Sequence, residues 1–388
     1  MGWTSQDDLI NAITVGGKYL RVDNSKITAP VHTAGGWHAL GGLAGFPNAT
    51  TYPGTDLVWS NCDEFTGDGT TVLGIRHGGA PGGTATKHVI NVGASMVAAA
   101  GAPWQAKLVD LQGYYRLSTT NVTGTGSRVL VNSNTVTASS SSGLLLTYTN
   151  DFKSGTKVRF TTTTTLPTGL SLATDYWLVR VSATTARVAA SYADYVEGNV
   201  IAYTDAGTGT HTMMIQMPRY ADGVGCEAFF VSQTAPATGG PTLSASAYDN
   251  TTSVAGTGTR AFQGTPVMNA AANAYATRIL HSGNAAGNYG AFLPKQAGDL
   301  GIARINSFTW SGGTAYTGTG IVALCIARPI LDLSLPVSGM WSERDLVNQL
   351  PSLPRIYDGA CLMWLLFGTG ATTTASPFTS TLDVGWGG

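Results

Sequence analysis

Apolar positions along the chain come in short runs, some of them alternating with small polar residues at a period of two and others nearly continuous. Leu243 to Tyr248 reads Leu-Ser-Ala-Ser-Ala-Tyr and Ile302 to Trp310 alternates likewise, while Leu108 to Leu117 is a β run with Tyr114 and Tyr115 and Ala228 to Gln233 is a short apolar strand. Such segments predict half-buried strands. Gly320 to Ala327 and Cys361 to Phe367 are nearly continuous apolar runs, which predicts central strands covered on both faces. A further series lies in the middle of the chain: Lys157 to Thr161, Tyr176 to Val181, Ala186 to Ala189 and Gly209 to Met214, with a turn at Leu166-Pro167-Thr168-Gly169. Helical signals occur twice. Ser5 with Asp8 forms a capping box before Leu9, Ile10 and Ile13, stopped by Gly16-Gly17. Ser342 with Asp345 does the same before Leu346 and Leu350, stopped by Pro351. These predict short helices over 5–14 and 343–350.

Many short strands separated by Gly, Pro, Asn and Asp predict an all-β protein, an antiparallel β-sandwich or jelly roll. Texture divides the chain in three. Residues 1–118 and 216–388 carry Trp, Pro and mixed loops, whereas 119–215 is dominated by Thr and Ser. We read 119–215 as a small β domain inserted into a parent formed by the flanking regions. Leu111–Tyr115 and Arg219–Gly223 look like neighbouring edges of one parent loop.

Composition sharpens this picture. Of 388 residues 43% are apolar, enough for a core, but only 11% are charged, and the net charge is −1. Ordinary soluble domains carry about 25% charged residues. A surface this neutral suits a subunit packed against copies of itself better than a free monomer. Lys and Arg are scattered, which argues against nucleic acid as a partner. No apolar run approaches the length of a membrane span. The N-terminus lacks the build of a signal peptide, so assembly in cytoplasm is expected. Cys62, Cys226, Cys325 and Cys361 show no ligand or redox spacing. Buried free thiols are expected, with one disulfide between distant segments as the alternative.

Chemistry is hard to find. Asp63 and Glu64 are adjacent, so on a strand they face opposite ways and make a poor glycosidase pair; with Asp68 they read as a solvated turn. His77, in Arg76-His77-Gly78-Gly79, invites an anion-binding reading but has no helix start or Lys-Ser/Thr after it, so a satisfied loop histidine is preferred. There is no GxSxG and no HExxH. The expectation is a non-enzymatic protein without cofactor or metal. Among nine Trp, Trp59 and Trp364 sit in strand-like runs and read as core. Trp3, Trp341 and Trp386 read as subunit-interface anchors in preference to glycan platforms.

Two segments resemble known proteins. Val158 to Met213, with LPTGL, YWLVRV, TTARVA and GTGTHTM in order, resembles a small β module inserted in many tailed-bacteriophage virion proteins. Glu343 to Ala360 (ERDLVNQLPSLPRIYDGA) resembles the end of a group of phage structural proteins, and Asp7 to Ile13 with Trp37-His38 and Gly45-Phe46-Pro47 fits the same group. The resemblance implies a virion structural protein with no catalytic residues. A capsid-surface decoration protein is the first expectation, self-associating as a trimer and contacting the major capsid protein or another virion protein. A tail or fibre component binding the host surface is the alternative, and a glycan-cleaving virion enzyme the third. Coiled-coil heptads, Gly-X-Y repeats and a β-helix period are missing, which favours decoration over fibre.

Overall fold

The computed structural model describes residues 3, 5–27, 35–40, 57–59, 74–75, 77–78, 81, 85–97, 103–118, 126–130, 132–139, 145–149, 152, 154–234, 242–250, 259–263, 279–280, 290–311, 321–348, 353–370 and 376–387. Over these the chain is mostly strand, arranged in three antiparallel sheets and a closed barrel, with two short helices.

The first sheet has the order β1 (Tyr19–Ile27), β22 (Pro377–Gly387), β4 (Thr86–Met96) and β19 (Ser342–Asp345), with β20 (Arg355–Ile356) also on β4. The large sheet runs β16 (Ile279–Leu280), β13 (Glu227–Thr234), β18 (Ile321–Leu335), β5 (Trp104–Ser118), β21 (Leu362–Gly368) and β2 (Gly36–Leu40), with β3 (Leu57–Trp59) on β5. A small sheet contains β15 (Thr259–Ala261), β14 (Thr242–Asp249), β17 (Arg304–Ser311) and β6 (Gly126–Val129). The barrel closes through β10 (Tyr176–Arg180), β11 (Thr185–Ala189), β8 (Leu145–Thr147), β7 (Ser133–Ser139), β12 (His211–Ile215) and β9 (Lys157–Thr162).

The large sheet is buried on both faces, which explains its continuous apolar runs. In β21, Leu362, Trp364 and Leu366 pack with Val89, Val92, Phe378 and Val384 of the first sheet, making a sandwich; Cys361, Met363 and Leu365 point to the opposite face with Trp37 and Ala39. In β13, Ala228 and Phe230 face the barrel side, whereas Phe229 and Val231 share the opposite face.

The fifteen-residue strands β5 and β18 run the length of this sheet. Each contains a bulge. The register steps from Ile326↔Gly113 to Ala327↔Leu111, leaving Gln112 extra, and from Pro329↔Val109 to Leu331↔Leu108, leaving Ile330 extra. One extra residue reverses which parity faces inward. Leu324 and Ile326 therefore share a face with Leu331 and Leu333 in spite of the change from even to odd. That single face carries two cores, one shared with the first sheet and one with the barrel and small sheet. Pro329, which has no N–H to give the ladder, is tolerated at the bulge.

Barrel interiors follow from alternation: Val158 and Phe160, Tyr176 and Leu178, Ala186 and Val188, Met213 and Ile215 are all buried. The chain enters and leaves side by side, because Ile215 N donates to Asn132 O at 3.0 Å. Strand β6 lies within the interval 119–215, yet it pairs with β17 of the small sheet; the barrel strands begin at Ser133.

The first predicted helix is present as α1 (Gln6–Thr14), with Asp8 N bonded to the Ser5 hydroxyl. The second is not. Ser342–Asp345 is strand β19, paired with β4 from Ala94 to Asn91, and Leu346 is buried in the sandwich core. The ladder to β4, continued by Leu346 N to Ile90 O at 3.0 Å, together with burial of Leu346, outweighs a capping box worth about 1 kcal/mol. Asp345 instead caps the following turn, accepting from Val347 N at 2.9 Å and from Asn348 Nδ2 at 2.7 Å. Residues 349–352 lie outside the described residues. A helix not foreseen, α2 (Tyr192–Glu197), starts at the Ser191 cap and ends on left-handed Gly198. Cys226 and Cys325 are buried free thiols as expected, but Cys361 is disulfide-bonded, which corrects the reading of free thiols throughout.

Candidate functional site

The three tryptophans singled out in the sequence all lie on the first sheet. Trp3 rests against Gly385 and Gly387 of β22, so closely that a Cβ at Gly387 would lie 2.9 Å from its indole nitrogen, and its ring lies 5.4 Å from that of His88. Trp341 covers Gly93 of β4, where a Cβ would meet the indole at 2.5 Å, and it keeps 42% of its surface exposed. Gly93 and Gly387 sit within strands because a side chain there would displace an indole. Trp386 is partly buried in β22, with the strand parity of inward-facing Leu382 and Val384, and its backbone N–H bonds Lys18 O at 3.2 Å. Trp3 and Trp341 thus share the outer face, and Trp386 does not.

A polar network lies between those two indoles. Asp383 accepts from the Tyr19 hydroxyl at 2.7 Å and from Asn91 Nδ2 at 3.2 Å, with Arg21 Nε 4.0 Å away. Asn91 also donates to Glu343. Beyond Trp341 the surface turns apolar. Val97, Val337 and Met340 are all exposed, and the turn carrying the last two is tied to the end of β4 by Gly339 N to Met96 O at 2.8 Å. Beside it opens a groove of about 630 Å³ lined by Gln105, Lys107, Asp332, Pro336, Glu343 and Arg344. Lys107 and Asp332 pair there at 2.7 Å. The surface therefore offers an exposed Trp with an apolar margin and a groove of alternating charge, a combination suited to binding a protein or a polar polymer.

The candidate catalytic residues are spoken for or lie elsewhere. Asp63, Glu64 and Asp68 are outside the described residues. His77 is buried, its Nε2 bonded to Ala360 O at 2.9 Å and its Nδ1 2.8 Å from Lys87 Nζ. Lys87, itself buried, lies 3.5 Å from Asp358. Asp222, with φ 53°, accepts from Arg159 at 3.0 Å. Among the described residues no three His, Cys, Asp or Glu side chains gather as a metal site, and no helix is long and apolar enough to cross a membrane.

The strongest polar site in the interior was missed at the sequence level. Asp110 is fully buried on β5, at the boundary between the two cores of the large sheet. Arg219 grips it with two parallel bonds, Nε to Oδ2 at 2.9 Å and an NH2 nitrogen to Oδ1 at 2.8 Å, and the same nitrogen reaches Leu111 O at 2.6 Å. Cys361 N adds a third bond to the Asp110 carboxylate at 2.8 Å. The signal was available as a lone acid inside the apolar run Leu108-Val109-Asp110-Leu111. This pair is also what makes Leu111–Tyr115 and Arg219–Gly223 neighbours. After Arg219 the chain turns sharply, with Tyr220, Asp222 and Gly223 all at positive φ. A Cβ at Gly223 would lie 2.0 Å from Ile302 O. A second polar link, Tyr115 hydroxyl to Asn132 at 2.6 Å and Asn132 to Ile305 O at 2.7 Å, ties the large sheet to the small one just where the barrel begins.

No protein-family model matches the chain, and comparison with curated proteins finds no match. Among solved structures, that of infectious bursal disease virus, Gx strain, aligns over 97% of this chain and 86% of that one, at 9% identity and a TM-score of 0.16, too low to assign a shared fold.

Proposed function

We propose that the chain is a non-enzymatic structural subunit of a tailed-bacteriophage virion, acting as a capsid-surface decoration protein. The observation that carries the reading is the use of its buried charge. Asp110 with Arg219 and Asp249 with Arg304 are ion pairs within the scaffold, each holding strands or turns to one another. This is the arrangement of a rigid building block. Its outer face offers Trp341 with the apolar margin of Val97, Val337 and Met340, a surface that suits docking on a neighbouring virion protein. The segments Val158–Met213 and Glu343–Ala360, which resemble phage structural proteins, supply most of four of the six barrel strands and the β19–β20 stretch of the first sheet.

The groove beside Trp341 favours a second reading, a tail or fibre component that binds the host surface. One experiment separates the two. Purified protein is added to capsids lacking it and to host cells, and bound protein is quantified by sedimentation. Decoration requires saturable binding to capsids that Trp341→Ala weakens by at least tenfold, about 1.4 kcal/mol. Binding to cells and not to capsids would remove the decoration reading.

A further inference from the structure

Strand β1 is the outermost strand of the first sheet, and among the described residues nothing pairs with its far side. Its nine residues hold register with β22 without a bulge, and the sequence Tyr-Leu-Arg-Val-Asp-Asn-Ser-Lys-Ile contains neither Pro nor Gly. Long, regular edges of this kind are templates for pairing with another chain.

Which groups point outward follows from one bond. Trp386 N donates to Lys18 O, so this pair extends the β1–β22 register as a hydrogen-bonded pair. Antiparallel ladders alternate, so Leu20, Val22 and Asn24 also turn their backbone groups toward β22. Tyr19, Arg21, Asp23 and Ser25 turn theirs to the free edge. The same four side chains are exposed, and the three between them are half-buried.

We propose that two copies of the chain join edge to edge through β1, antiparallel about a twofold axis at Val22. Charge selects that register. Centring on Arg21 would oppose the two Arg21 side chains, and centring on Asp23 would oppose the two Asp23 side chains. Centring on Val22 sets Arg21 against Asp23 of the second copy, twice, and Tyr19 against Ser25 twice. Four facing pairs of outward residues then exchange about eight backbone hydrogen bonds. Within one chain Arg21 Nε already lies 3.5 Å from Asp23 Oδ1, with the two side chains 53% and 71% exposed. The twofold therefore brings four charges together with alternating signs, which stabilises cross-strand pairs. An isologous contact closes on itself as a dimer, so this edge supplies a twofold in place of the trimer expected from shell symmetry.

Light scattering and sedimentation on the full chain test the proposal. The wild type is expected to dimerise at tens of micromolar, the range of a small interface. Asp23→Arg, which would face Arg21 of the second copy, should weaken the dimer at least tenfold. The swap R21D/D23R restores opposite charge across the axis and should restore the dimer. Circular dichroism and melting of each variant establish that it is folded. A wild type that stays monomeric up to about 100 µM, a dimer indifferent to D23R, or a folded swap that fails to recover would each overturn the proposal. A monomer that still saturates capsids would remove this contact and leave the virion role standing.

Discussion

Replacing Arg219 with Met tests how the interior tolerates its charge. The methionine keeps much of the aliphatic stem but removes every donor that Arg219 directs at Asp110 and Leu111 O. Asp110 is then a fully buried carboxylate that keeps, among the described residues, the bond from Cys361 N. Breaking a buried pair from one side costs about 3–5 kcal/mol, because the surviving charge has lost its partner and is still out of water. The adjoining Leu111 carbonyl loses a bond as well, worth about 1 kcal/mol. We therefore expect R219M to destabilise by roughly 4 kcal/mol. The decisive variant is D110N/R219M. Asparagine keeps an oxygen for Cys361 N but carries no charge, so the double variant should be more stable than R219M alone by over about 1 kcal/mol. Urea unfolding followed by tryptophan fluorescence measures both, with stability compared at unchanged slope. If the double variant is no better than R219M, the loss comes from packing and not from a stranded charge, and the argument fails.

Four further outcomes are expected. Burial depresses the His88 pKa below its ordinary 6.5, and the ring is held neutral, its Nδ1–H bonded to Leu353 O and its Nε2 facing the Thr86 hydroxyl. The unfolded chain therefore takes up a proton that the folded chain resists, so this contribution is complete above about pH 6.5 and is lost as pH falls below it; the stability difference between wild type and H88Q, measured across pH 5–8, should shrink toward acid. Burial pushes the Cys226 thiol up to about 12 and Cys325 well above its usual value, so a thiol reagent at pH 8 should label neither until the protein is unfolded, as peptide mapping will show. Gly93→Ala should displace the Trp341 indole, raising its exposure and red-shifting emission, at a cost of about 1 kcal/mol. Replacing residues 133–214 by a two-glycine link should leave the remainder folded with its β-sheet circular dichroism, because Asn132 and Ile215 are already bonded neighbours; an insoluble product would mean that the barrel is needed to complete the core it shares with Phe230 and Phe308.

Much of the architecture was legible in the order of residues because strand burial is a local, period-two property. The runs at Leu108, Leu243, Ile302 and Cys361 announced their strands, and the two continuous runs announced a sheet covered on both sides. The Ser5 cap announced α1, since a cap and its helix are made within one turn. What needed the tertiary structure was every choice among distant partners. The capping box at Ser342 was a sound local signal, and pairing with β4, about 250 residues away in sequence, overrode it. Gly113 and Pro329 hint at irregular strands, but only the pairing shows that the register steps at Gln112 and Ile330 and so which parity of β5 and β18 faces each core. Asp110 and Arg219 are 109 positions apart; the segments beside them read as neighbouring edges, but nothing in the sequence says that this ion pair joins them. The sequence singles out Trp3 and Trp341 as aromatic residues that must cover something, but only the fold shows that each is seated on glycines of its own chain, because an aromatic residue's sequence neighbours carry no record of the surface it will cover.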